Sequence, residues 1–263
     1  MFFKVRPFVF FLVVVISSCS VKEDRTGCPC FLKVVLDDPS NQVCDSLLVS
    51  VVGVSDNFRW SEVVYRPSFV TDLLVRVPSR DGVFVDVMDA GVARNYVGGL
   101  SGGLLIVEGD ECPTAFMDFA YCPTEAEEVV DTVCVRKNYC GVSVDFVSGD
   151  LQDYRVDILG NVCGYSVSGD VLEGGFSFTP SSDDGTRCFF RLPRQTDSSL
   201  RLAITPSGGT TQYFALGNYI LRSGYDWTAP DLDDIMIGID YSATYFSVTI
   251  SDWTLTEHFD IVF

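Results

Sequence analysis

Short runs in which apolar and polar residues alternate recur along most of the chain. In the first half they are Phe31–Leu36 (FLKVVL), Leu47–Val54 (LLVSVVGV), Leu73–Val77 (LLVRV), Val83–Val87 (VFVDV), Thr132–Arg136 and Cys140–Phe146 (CGVSVDF). Tyr154–Leu159, Phe176–Phe178, Cys188–Leu192, Leu200–Thr205, Ile235–Ile239 and Tyr245–Ile250 continue the pattern. A repeat of two places every second side chain on one face, so each run predicts a strand with one buried side. Turn-forming clusters separate the runs at Ser79–Gly82, Ser181–Gly185 and Ser207–Gly209. Helical turns are predicted only near Ser61–Tyr65, Glu125–Val130 and Leu216–Ser223. This spacing predicts an all-β protein of antiparallel sandwiches with few short helices. The strands outnumber those of one sandwich, which predicts two in series, over residues 31–138 and 139–263. No sequence repeat relates them.

The amino terminus has a different pattern. Lys4 and Arg6 precede an apolar run from Phe8 to Ile16, too short to span a bilayer. Ile16-Ser17-Ser18-Cys19 follows, an aliphatic residue, two small ones and a cysteine. It resembles the lipobox of bacterial lipoproteins. Residues 1–18 are therefore read as a signal peptide and 19–30 as a tether whose Cys19 thiol carries lipid, with fatty chains such as palmitate. Several acyl chains, at about 0.8 kcal/mol per buried methylene, hold firmly to a bilayer. Lys22, Glu23 and Asp24 read as an acidic export signal that sends such a protein to the outer face of the outer membrane. A plain solvated tether is the alternative.

Composition narrows the chemistry. The chain of 263 residues has 36 acidic and 18 basic side chains and a formal charge of −18. Hydrophobic residues make up 47%, too many for a disordered chain at this charge. The acidic balance repels phosphate backbones, so no nucleic-acid partner is expected. One histidine, His258, leaves no histidine triad or histidine metal site, and no serine or cysteine motif stands beside it. Ten cysteines point to an oxidising compartment. With Cys19 lipidated an odd number is left, and these are expected to form disulfides or buried thiols. The pattern has no zinc-type Cys-x-x-Cys. Cys28-Pro29-Cys30 has its two thiols on opposite faces if the segment is extended. No cofactor and no metal are expected.

Three stretches carry a family resemblance. Cys19 to Cys30 (CSVKEDRTGCPC), followed by a strand at Phe31, resembles the start of mature FimB-type fimbrial anchor lipoproteins. Val77-Pro78, then Gly82–Val85 (GVFV), is similar to the turn into a late strand of that family's first domain. Tyr219, Gly224-Tyr225-Asp226-Trp227, Pro230–Asp234 (PDLDD), Asp240-Tyr241 and Ser251-Asp252-Trp253 resemble its second domain in order and spacing. The resemblance implies two tandem transthyretin-like β-sandwich domains in a surface lipoprotein. Such a protein anchors a fimbria, or pilus, to the outer membrane, and its partners are pilin subunits joined by strand addition. The family brings no catalytic residues, and no enzyme is expected. This chain is short and cysteine-rich for the family. That leaves an anchor, an accessory subunit and a tip-type adhesin all open.

Strand addition needs an extended segment with one apolar face. In the tail Thr254–Phe263, Leu255, Phe259, Ile261 and Phe263 make a candidate strand-exchange segment; the alternative is a last strand in its own sheet. Asp231–Asp234 and Asp183–Gly185 are carboxylate-rich but lack EF-hand spacing, and read as solvated loops rather than calcium sites. Gly98–Gly103 lacks the Lys-Ser/Thr of a phosphate loop. Trp227 and Trp253 are read as core anchors, with a sugar-stacking platform as the alternative. A surface glycan-binding lipoprotein is accordingly the second functional class.

Overall fold

The computed structural model describes residues 28–36, 44–55, 57–65, 72–79, 81–96, 103–146, 154–181, 186–240, 245–250 and 253–258. The first strand shows why the chain folds as it does. In β1 (Pro29–Leu36), Cys30, Leu32, Val34 and Leu36 are buried, while Phe31 is exposed and the residues on either side of Val34 are half-buried. The same alternation buries Leu47, Val49 and Val51 of β2 (Ser46–Gly53) and Val83, Val85 and Val87 of β5 (Val83–Asp89). These side chains meet between two sheets with β3 (Arg59–Tyr65), β4 (Leu73–Pro78), β7 (Phe116–Cys122), β8 (Glu128–Val133) and β9 (Arg136–Lys137). One sheet has the order β4-β1-β8 and the other β3-β2-β5-β7-β9.

A second pair of sheets repeats the plan. It is built from β10 (Tyr139–Phe146), β11 (Tyr154–Tyr165), β12 (Val171–Phe178), β13 (Arg187–Pro193), β14 (Arg201–Pro206), β15 (Gln212–Phe214), β16 (Ile235–Asp240), β17 (Tyr245–Ile250) and β18 (Trp253–His258). Its orders are β13-β10-β16-β17-β18 and β12-β11-β14-β15. Strip away β9, β17 and β18, and the two halves have one topology, with the first strand between the fourth and the last. The chain is all-β and sandwiched, with two short helices, α1 (Ala90–Tyr96) and α2 (Leu216–Arg222), among the described residues.

The sheets are not purely antiparallel, contrary to expectation. β1 pairs parallel with β8, and β10 pairs parallel with β16. The chain reaches each parallel partner only after crossing to the facing sheet and back, so the sheet itself serves as the crossover that a helix supplies in α/β folds. Two helical expectations also give way. Ser61–Tyr65 lies in β3, an edge strand with polar residues on both faces, and Glu125–Val130 runs into β8. Leu216–Ser223 is helical as read, with Ser223 as the cap of α2. No described helix is long and apolar enough to cross a membrane.

The predicted boundary near residue 138 falls between β9 and β10. One piece of the first half nevertheless joins the second. β6 (Leu104–Leu105) pairs with β11, and Ile106 and Cys112 sit in the second core. Between the main cores lies a third cluster: Met88, Val92, Ala93, Leu104, Ala115, Met117 and Tyr165. No disulfide is present among the nine described cysteines, and most of them are buried. Cys30, Cys112, Cys140 and Cys188 serve as small apolar core residues, and burial pushes the Cys140 and Cys188 thiols up to about 12. Cys28 is exposed and Cys30 fully buried, the opposite faces expected of an extended Cys-x-Cys.

Candidate functional site: an open sheet edge and a clamped junction

Cys19, Lys22, Glu23, Asp24, Phe259, Ile261 and Phe263 lie outside the described residues, as do Asp183, Asp184, Gly98 and Gly99. Leu255 is in β18, paired by its backbone with Val248 of β17. Among the described residues β18 is thus the outermost strand of its own sheet. Trp227 is buried in the second core against Tyr225, their ring centroids 4.6 Å apart.

Comparing the two halves exposes an edge that no sequence signal marked. In the second half β16 carries β17 antiparallel on its outer side. In the first half β8, its counterpart, has β1 on one side and no neighbour on the other among the described residues. The N–H of Phe31 donates to the carbonyl of Glu127 (2.9 Å), which fixes the phase of the ladder. The backbone groups of Glu128, Val130 and Thr132 therefore point away from β1. Val130 is 58% exposed on the outer face, and Val129 is half-buried against the core.

Between Val129 and Val133 the inner face of β8 carries Asp131. Its Oδ2 is buried and has no hydrogen-bond partner among the described residues. Burial raises the pKa of this carboxyl, and contacts with Cys122 and the Thr132 N–H oppose the rise. An inward carboxylate on an edge strand discourages indiscriminate pairing, because a second strand must supply it a donor.

The junction between the halves is tied by residues far apart in sequence. The Asp231 carboxylate accepts from the Lys137 N–H (2.9 Å) and pairs with Arg136 (3.1 Å). Asp234 accepts from the Gly141 N–H (2.7 Å) and the Lys137 Nζ (2.6 Å). The acidic run is exposed, as read, and also acts as a clamp on residues 136–141. Arg194 completes it. Its guanidinium donates to the carbonyls of Trp227 and Ala229 and to Asn138 Oδ1 (3.1 Å), and its backbone N–H donates to the Tyr165 hydroxyl (2.7 Å). Tyr165 in turn donates to the Asn138 carbonyl (2.6 Å). An ammonium lacks the planar fork these acceptors need. Arg194→Lys is expected to cost about 2 kcal/mol, read as a lower urea midpoint at an unchanged slope.

Three solved structures resemble the chain in fold. One, a polysaccharide-binding candidate from Bacteroides thetaiotaomicron, is 14% identical over 87% of this chain and 98% of its own, with a TM-score of 0.62. An adhesin candidate from Bacteroides ovatus is 11% identical over 88% of this chain and 96% of its own, with a TM-score of 0.60. The fimbrial anchor protein Mfa2 from Porphyromonas gingivalis is 14% identical over 86% and 99%, with a TM-score of 0.58. The chain has their fold. At such identities the likeness extends to the fold alone. No family model matches the sequence, and no curated protein does.

Proposed function

We propose that the protein is a non-catalytic structural subunit of a surface fimbria, held to the outer membrane by lipid on Cys19. In this reading it takes an extended strand of a neighbouring pilin on the edge of β8. The observation that carries the reading is the side of β8 that has no neighbour among the described residues, set against β16, where the same topology holds β17 in place. Further support comes from the fold, shared with a protein described as a fimbrial anchor. β1 is bonded on both sides, to β4 and β8, so a tether leaving its start stays in place while the edge beside it accepts a partner. An incoming strand would pair antiparallel, as β17 does. It would lay apolar side chains against Val129 and offer a hydroxyl, amide or ammonium to Asp131. Main-chain bonds give such a joint its strength, and alternate side chains give its selectivity.

Val130→Pro tests this. The lost N–H points outward, where proline is tolerated in an edge strand, so the fold survives while the partner loses a donor. In cells whose own copy is deleted, the variant is expected at the membrane in normal amount with filaments shed into the medium. Filaments that stay on the cell beside a folded variant would end the strand-acceptor reading. Separately, Cys19→Ser is expected to move the protein out of the membrane fraction, and continued sedimentation with membranes would contradict lipidation.

A further inference from the structure

The outward face of the β12-β11-β14-β15 sheet carries a shallow concavity of about 400 Å³. Its floor is one cross-strand row: Asp157 of β11 lies opposite Ala203 of β14, and Ala203 opposite Tyr213 of β15. Ala203 contributes only a methyl group and is 3% exposed, so the row dips to a narrow floor between a carboxylate and an aromatic ring two strand spacings apart, roughly 9.5 Å. Tyr213 stands on the rim, 61% exposed, with the Arg201 guanidinium 5.8 Å from its ring centroid. A single exposed tyrosine is ordinary on a sheet face; what distinguishes Tyr213 is the concavity beside it.

The remaining lining has a consistent chemistry. Asp157 is ion-paired to Arg155 at 2.9 Å and accepts from the Thr179 hydroxyl, and at the rim Arg201 beside Tyr213 and Glu108 beside Ser177 are opposite in sign, so the local charges balance on a chain of net charge −18. The Thr205 and Thr211 hydroxyls meet at 2.8 Å, and Ser177 adds another hydroxyl. A wall of hydroxyls and one neutralised ion pair disfavours a strongly charged ligand. It suits a molecule rich in hydroxyls, uncharged, with one flat C–H face to lay on an aromatic ring. Trp227 is in the core.

We propose that this trough binds a neutral polysaccharide, one pyranose ring laid on the Tyr213 ring at the rim, with its hydroxyls bonded to Asp157 and the threonines. The site is on the second sandwich, whereas the strand edge is on the first, so either can fail without the other.

Affinity electrophoresis of the mature protein through gels containing dextran, mannan, xylan or arabinan tests the proposal, with anionic polygalacturonate as the charged control. At least one neutral polymer is expected to retard the protein. Tyr213→Ala is expected to weaken that retardation tenfold or more, Tyr213→Phe to retain most of it, and Asp157→Asn to weaken it severalfold. Circular dichroism and melting of the exposed-site variants verify that the fold is intact. Retardation by none of the four, retardation by polygalacturonate alone, or retardation indifferent to Tyr213→Ala would overturn the assignment. So would a folded Tyr213→Ala variant that keeps its polysaccharide but loses its pilin, which would make the trough a protein interface.

Discussion

Replacing Gly164 with alanine is expected to lower the melting temperature by on the order of 10 °C, the largest loss from any single methyl group in the molecule. Gly164 has φ 149°, and a Cβ there would stand 1.9 Å from the Leu104 carbonyl oxygen. Neither atom can yield cheaply, because both belong to the β6–β11 ladder. Relief comes only by detaching β6. That lengthens the bond from the Ile106 N–H to the Cys163 carbonyl (2.7 Å) and uncovers Leu104, which is 1% exposed. Backbone strain of about 1–3 kcal/mol and the loss of one buried leucine contact together give about 3–5 kcal/mol. Gly208→Ala is the control. Gly208 also has positive φ (77°), but nothing lies within 4 Å of its would-be Cβ. It should lose only the conformational part, about 1 kcal/mol. Equal losses at the two sites would refute the role assigned to β6.

Asp86→Asn is expected to stabilise the protein at pH 8 and to change little at pH 4. Asp86 lies on β5 with no exposure, and its Oδ2 accepts the Gly103 N–H at 2.8 Å. Its Oδ1 is buried without a partner among the described residues. Burial pushes the carboxyl up from 3.8 to about 7, and the Gly103 hydrogen bond only partly opposes this. The folded protein therefore binds a proton here more tightly than the unfolded chain. Stability from this group is complete below about pH 4 and declines as pH rises towards 7, by up to about 4 kcal/mol. Asparagine keeps an acceptor for Gly103 and never ionises. Melting curves of both proteins from pH 4 to 8 should diverge with rising pH, and parallel curves would show that Asp86 does not carry the proton.

Most strands were legible because the facing sheets impose a period of two. Val142 and Val144, or Ile235, Ile237 and Ile239, could be assigned to a core face from spacing alone. β3 was misread because both of its faces meet water, which erases the alternation: among its seven residues only Val64 is buried. α1 escaped notice because its seven residues (AGVARNY) follow β5 without a break and carry too few apolar positions for a helical period. The clamp made by the exposed acidic run at Asp231–Asp234 was not legible because its partners Arg136, Lys137 and Gly141 lie more than 90 residues away. Nor does any residue of β8 announce a missing neighbour. An empty edge is a property of the whole sheet, seen only when the two sandwiches are superposed in thought strand by strand. The trough over Ala203 was hidden for the same reason: Asp157, Ala203 and Tyr213 become a row only through register.

The central place of β1 has a mechanical meaning. A load drawn through the start of that strand would act along its length, with β4 bonded to one flank and β8 to the other. Its ladder rungs then resist together, in shear, instead of opening one after another like a zip. A body built this way withstands being tugged from the side where its lipid would sit.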